Sequence, residues 1–125
     1  MDENALSREI IGAAIEVHRR LGPGLLESVY QQCLVRELQF RNIPCLTEVP
    51  LRVEYRGLEF DVAYRVDLLV ADKVVVELKA VEKVLDVHEA QLLSYLRLQD
   101  KRLGLLINFH VRMLKDGIKR VVNEL

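Results

Sequence analysis

Val74-Val75-Val76-Glu77-Leu78-Lys79-Ala80-Val81 is a run of β-branched and aliphatic residues with two charges set into it. Near-continuous apolar runs of this kind mark strands buried on both faces. Side chains alternate along a strand, so Glu77 and Lys79 project to one side together with Val75. An unpaired buried charge is costly, so charges in such a strand pair with each other, stay solvated or bind a metal. A second carboxylate, Asp67, lies in a similar run, Tyr64-Arg65-Val66-Asp67-Leu68-Leu69-Val70. If the two runs form a hairpin with Asp67 opposite Glu77, its midpoint is residue 72. The connection then has an odd length, most simply Ala71-Asp72-Lys73. A two-residue Asp72-Lys73 turn would instead pair Asp67 with Leu78 and send Glu77 to the other face. Asp-Lys lacks the Gly that favoured two-residue turns use, so the odd connection is expected.

Strand periodicity extends back to Cys45. Val49, Leu51, Val53 and Tyr55 alternate with Pro50, Arg52 and Glu54, the pattern of a half-buried strand, and Pro50 places it at a sheet edge. Tyr55-Arg56-Gly57-Leu58 reads as a tight turn, followed by strands at Glu59–Val62, Tyr64–Val70 and Val74–Ala80. Upstream, Leu6, Ile10, Ala13, Ala14 and Val17 recur at helical spacing over residues 5–20, with Ser7 or Asn4 as cap. Gly22-Pro23-Gly24 breaks the chain before a second helix, Leu25 to Arg41, whose apolar stripe holds Leu26, Val29, Tyr30, Cys33, Leu34 and Leu38. Downstream, a third helix fits Val87–Gln99, packing through Ala90, Leu93, Leu96 and Leu98. A strand over Leu103–Phe109 and a last one over Ile118–Val122, after an Asp116-Gly117 turn, complete the chain. The expectation is one α/β domain over residues 1–125, a mixed sheet flanked by helices in the order α-α-β-β-β-β-α-β-β.

With 125 residues the chain is long enough for a single core. A formal charge of −1 argues against strong nonspecific nucleic-acid binding, which draws on a large positive field. The charge is uneven. Residues 97–125 carry seven Lys/Arg against three Asp/Glu, net +4, and the rest of the chain is −5. The basic third suits either a phosphate-facing surface or solvated helix and strand ends. Cys33 and Cys45 lack CxxC spacing and sit among apolar neighbours, as reduced near-core residues do. No signal-like N-terminal segment and no membrane-length apolar run are present, so a cytoplasmic protein without membrane contact is expected.

Asp67, nine residues, then Glu77-x-Lys79 would bring two carboxylates and a lysine together on neighbouring strands. Carboxylates on neighbouring strands suit Mg²⁺, which takes oxygen ligands and keeps several waters. Spacing alone fits a surface ion pair on a half-exposed sheet as well. The pattern resembles the catalytic signature of the PD-(D/E)XK nuclease superfamily. Gly24-Leu25-Leu26-Glu27-Ser28-Val29-Tyr30 is similar to the motif that names the GxxExxY protein family within it. The resemblance continues through Val66–Val70, Val76–Ala80, His88–Leu96 and Leu103–Phe109, covering roughly Ile10 to Asn123.

The resemblance implies an Mg²⁺- or Mn²⁺-dependent phosphodiesterase acting on nucleic acid, without choosing between DNA and RNA; DNA is the partner expected here. Asp67, Glu77 and the Leu78 carbonyl would hold the metal, Lys79 would orient water and stabilise developing charge, and Glu27 would join the metal shell. Gln91 and Tyr95, i,i+4 on one helix, match a Gln-x-x-x-Tyr element that supports such sites or contacts nucleic acid. Tyr30 shares a helix face with Glu27 and is either a site residue or core with its hydroxyl on a partner. Arg65, on the Asp67 face, is a candidate for phosphate or for a carboxylate. His88 suits proton transfer or, at a helix start, capping. One departure is plain: Val66 stands where the signature has Pro. That Pro is not a ligand. The competing expectations are a binding module that keeps the fold without turnover, and a subunit completed by a homodimer or partner protein.

Overall fold

The computed structural model describes all 125 residues. Two helices, α1 (Glu3–Leu21) and α2 (Glu27–Phe40), precede strands β1 (Cys45–Tyr55), β2 (Leu58–Val70) and β3 (Val74–Lys79). Helix α3 (Asp86–Leu98), strand β4 (Leu103–Asn108), a 3₁₀ turn at Leu114–Gly117 and strand β5 (Ile118–Val122) follow. The sheet runs in sequence order β1-β2-β3-β4-β5. Only the β3–β4 pair is parallel, bridged by α3 as a crossover, and the other neighbours are antiparallel.

This is the expected mixed α/β sheet, with one strand fewer between residues 45 and 80. Glu59–Val62 and Tyr64–Val70 belong to one thirteen-residue strand, β2. The interruption is a bulge: Pro50 pairs with Arg65 but Leu51 with Val62, leaving Ala63 and Tyr64 as extra residues. The observed order is therefore α-α-β-β-β-α-β-β, and β1 with its Pro50 lies at the edge as expected. Arg56-Gly57 forms the β1–β2 turn with φ of 49° and 88°, the mirror-turn geometry that suits twisted hairpins.

The core has two layers. On one face, α1 contributes Leu6, Ile10, Ala13, Ala14 and Val17, and α2 contributes Tyr30, Leu34 and Leu38, against Leu68, Val76, Leu78 and Leu105 of the sheet. Each fully buried Leu contributes on the order of 2 kcal/mol of apolar transfer. On the other face α3 buries Leu92, Tyr95 and Leu96 against Leu51, Leu69, Val75 and Leu106. Ala90 and Leu98, expected in that stripe, face solvent. Leu92 instead seats over Gly104, where an added Cβ would lie 2.9 Å from its side chain. The α1 cap is Asp2, whose carboxylate accepts from the Ala5 N–H at 2.8 Å, rather than Asn4 or Ser7. In α2 the early positions Leu26 and Val29 are exposed, because the helix meets the core only from Tyr30 onward. No helix is long and apolar enough to cross a membrane.

Candidate active site

The β2–β3 pairs Val70↔Val74, Leu69↔Val75 and Leu68↔Val76 centre on residue 72. The connection is thus Ala71-Asp72-Lys73, the odd loop expected, with Ala71 and Asp72 at φ 49° and 57°. The next residues in register are Asp67 and Glu77, where side chains replace the ladder. Asp67 Oδ2 accepts from the Leu78 N–H at 2.7 Å, and Glu77 Oε1 accepts from the Asp67 N–H at 3.2 Å. Each carboxylate is therefore anchored to the opposite strand.

A break in the pleat aims them. Val66 packs on the α3 side while Leu68 packs under α1 and α2, so strict alternation fails at Asp67. Across from it, between the pairs Thr47↔Leu68 and Val49↔Val66, Glu48 has φ 52°. Such irregularities re-aim side chains and often adjoin active sites.

Burial and mutual repulsion dominate the electrostatics of the pair. Glu77 is 5% exposed, and its carboxyl is pushed up to about 7, first by burial and then by the Asp67 charge. The Tyr64 hydroxyl, the Asp67 amide and Lys79 oppose the rise without cancelling it. Burial also raises Asp67 above the ordinary carboxylate range. The Leu78 amide and Lys79 pull it down, and the Glu48 and Glu27 carboxylates push it up. Burial and the like charge of its neighbour both favour a proton on the pair, so the two carboxyls titrate as a coupled unit. Tyr64 and Tyr95 are raised by burial and then by Glu77. Two carboxylates facing surplus negative charge are stabilised by any added cation.

The residues present fit a hard divalent ion. Asp67 Oδ1 accepts no protein hydrogen bond and is not sealed from solvent. No group of three or more acidic, His or Cys side chains converges. Mg²⁺ commonly binds through one or two carboxylates while keeping several waters, so the pair suffices in kind.

The other candidates fall in different places. Lys79, half-buried, acts electrostatically on both carboxylates. Its carbonyl accepts from the Phe109 N–H at 2.9 Å. Leu78 buries its side chain and commits its amide to Asp67. Glu27 is the first residue of α2, exposed and near enough to Asp67 to raise its pKa. Tyr30 is fully buried. Its hydroxyl donates to the Gly22 carbonyl at 2.6 Å and accepts from the Leu25 N–H at 3.2 Å, and its ring stacks on Phe109 at 4.3 Å. It therefore holds the loop leading into Glu27, and Gly24, at φ 99°, provides the turn.

Tyr95 is buried edge-on to Tyr64, with ring centroids 6.3 Å apart, and adjoins the carboxylates through it. Gln91 is exposed beside a hollow of about 380 Å³ that Tyr64 and Tyr95 also line. Arg65 is exposed, donates to the Glu48 carbonyl at 3.2 Å and pairs with no carboxylate. His88 caps α3, its Nδ1 accepting from the Leu85 N–H at 3.1 Å.

Three neighbours went unread in the sequence. Tyr64 and Glu48 act on the carboxylates as described. Asn108 Oδ1 accepts from the Val81 and His110 N–H groups and its Nδ2 donates to the Val81 carbonyl, fastening the exit of β3. A polar residue ending an otherwise apolar strand, in register with Lys79, was the available signal for Asn108.

A mixed sheet carrying paired carboxylates and a lysine at the frayed end of a hairpin defines a nuclease-type scaffold. The sequence profile of the PD-(D/E)XK nuclease superfamily matches residues 4–121, and the chain belongs to that superfamily. No curated protein matches it. Among solved structures, the crystal structure of SSO0001 is similar, with a TM-score of 0.54 and 23% identity over 79% of this chain. The chain aligns with about half of that protein, 51% of its length, and the likeness concerns the fold.

Proposed function

We propose that the protein is a metal-dependent nuclease that hydrolyses phosphodiester bonds in DNA, using Mg²⁺ or Mn²⁺. The observation that carries this reading is the anchored Asp67–Glu77 pair, raised in pKa and flanked by Lys79. Asp67, Glu77 and the Leu78 carbonyl would hold the ion, with Glu27 assisting from α2. A bound divalent ion supplies polarisation of the phosphodiester and a lowered pKa for its water. The chain's own part is positional. The Leu78 and Asp67 amides fix one oxygen of each carboxylate, and Lys79 orients the attacking water and stabilises charge developing on the phosphate. Tyr64 steadies Glu77. The Gly24–Glu27–Tyr30 spacing supports placement in the GxxExxY branch, and half-buried free cysteines agree with a cytoplasmic setting.

The test is cleavage of linear, supercoiled, branched and single-stranded DNA, plus RNA, with Mg²⁺ or Mn²⁺, by wild type, Glu77→Ala and Lys79→Ala. Activity lost in both variants assigns it to this site. Absence of cleavage, or equal cleavage by all three, refutes the reading and favours a binding module or a subunit that needs a second copy or a partner.

A further inference from the structure

Of the seven cations in residues 97–125, four are occupied. Lys101 pairs with Asp72 at 3.0 Å, Lys119 with Glu89 at 3.9 Å, Arg102 bonds the Glu124 carbonyl and Arg120 bonds Asn4. Arg97, on α3, has no partner. Arg112 and Lys115 also make no ion pair or side-chain hydrogen bond, and both line one hollow of about 450 Å³. Arg19, His18, Gly22 and Pro23 contribute to the same wall, and no carboxylate does. Asp116, the nearest acid in sequence, lines a separate hollow with Lys83 and Lys119. The frame is fixed, because His18 Nε2 donates to the Val111 carbonyl at 2.8 Å and ties residues 111–115 to α1. Arg19 is engaged by Glu16, which leaves Arg112 and Lys115 as the free charges.

The position matters as much as the charge. Gly22, in the hollow's wall, is the residue whose carbonyl the Tyr30 hydroxyl holds, and four residues after Pro23 the chain reaches Glu27. Four residues span at most about 14 Å. Successive phosphates on a strand advance about 3.4 Å along a duplex axis, so the Pro23 wall of the hollow sits within about four nucleotides of Glu27, whose charge reaches Asp67. We propose that the Arg112–Lys115 hollow is a subsite for the phosphodiester backbone of the nucleic-acid strand being cleaved. This rests on the nuclease reading and gives a chain of net charge −1 a local hold on its substrate.

Binding of a short labelled DNA, single-stranded and duplex, is measured without divalent metal across a salt series, so no chemistry is needed. Arg112→Gln/Lys115→Gln is compared with wild type, with Glu77→Ala and with the charge-matched Arg56→Gln/Arg97→Gln. The hollow variant is expected to lose about tenfold in affinity at low salt. Its log–log salt slope should shrink by about 1.4 for single strands and about 1.8 for duplex, two phosphate contacts' worth. Equal losses in the two charge-matched variants, an unchanged slope, or no binding by wild type overturns the proposal. Displacement of DNA by inorganic phosphate, beyond the effect of chloride at equal ionic strength, marks a free-anion pocket and also overturns it. If wild type binds through the hollow but never cleaves, the catalytic reading fails alone. If wild type cleaves and the hollow variant binds unchanged, the subsite fails alone.

Discussion

Replacing Glu77 by Gln should stabilise the metal-free protein at pH 8. Glu77 has an ordinary pKa of 4.5 in the unfolded chain and about 7 in the fold, the rise caused first by burial and then by Asp67. Between those values the folded chain keeps a proton that the unfolded chain has released. Stability therefore falls as pH rises through that window and levels off above it. A shift of about 2.5 units at about 1.4 kcal/mol each gives roughly 3 kcal/mol. For a chain of this length it corresponds to roughly 10 °C in Tm. Gln keeps an oxygen for the Asp67 amide and cannot ionise, so Glu77→Gln should match wild type near pH 5 and melt higher at pH 8. Added Mg²⁺ should raise the wild-type Tm at pH 8, because the ion binds the folded form alone, and leave the variant nearly unmoved. Scanning calorimetry from pH 5 to 8, with and without Mg²⁺, is the assay. A variant that melts at or below wild type at pH 8, with the same slope against pH, would refute the reasoning.

Lys79→Ala removes the cation that lowers both carboxyls, so the midpoint pH of Mg²⁺ binding, followed by calorimetric titration, should move upward. Tyr30→Phe keeps the Phe109 stack and loses two hydrogen bonds, so the unfolding free energy should fall by about 1–2 kcal/mol, read as a lower denaturation midpoint with m unchanged. Its cleavage should fall further than stability explains, since Glu27 loses its support. Gly104→Ala drives a Cβ into Leu92 and should cost about 1–3 kcal/mol, with Leu92→Ala in the same chain recovering part of it in a double-mutant cycle. Asp2→Ala removes the α1 cap and should cost about 1 kcal/mol, read from urea unfolding.

The hairpin register was legible because it depends on arithmetic and turn chemistry. A strand has period two, and Asp72-Lys73 is a poor two-residue turn, so residue 72 had to be the centre. Tyr64 was illegible for the complementary reason. Counting by twos sets it on the face opposite Asp67, and only the pleat break at Glu48 and Asp67 brings it to Glu77. That break involves a non-Gly residue at positive φ, which composition does not announce. The β2 bulge also made one strand read as two. In α3, Leu92, Leu93, Leu96 and Leu98 surround much of the helix, so its buried stripe had no unique phase. The seat above Gly104 decides it. Glu27 and Tyr30 drew attention as a pair sharing one helix face, yet they do different things. Tyr30 was open between core and site, and its two hydrogen bonds place it in the core.

The Gly24–Glu27–Tyr30 motif lies some forty residues before Asp67, and a chain of contacts explains why its spacing serves the strands. The Tyr30 ring stacks on Phe109, and the Phe109 amide bonds the Lys79 carbonyl. The Tyr30 hydroxyl meanwhile holds Gly22 and Leu25, which forces the turn at Gly24 and starts α2 at Glu27. One buried ring thus sets the start of α2 against the end of β3. Asn108 fastens the same strand end from β4, through Val81. The acidic pair needs that bracing. Burial and mutual repulsion favour separating or protonating Asp67 and Glu77, and a hairpin ladder that stops at Leu68↔Val76 gives no further backbone pairing to resist it. Support from Phe109 and Asn108 keeps Lys79 beside the two carboxylates, where its charge offsets part of their cost in the absence of a metal.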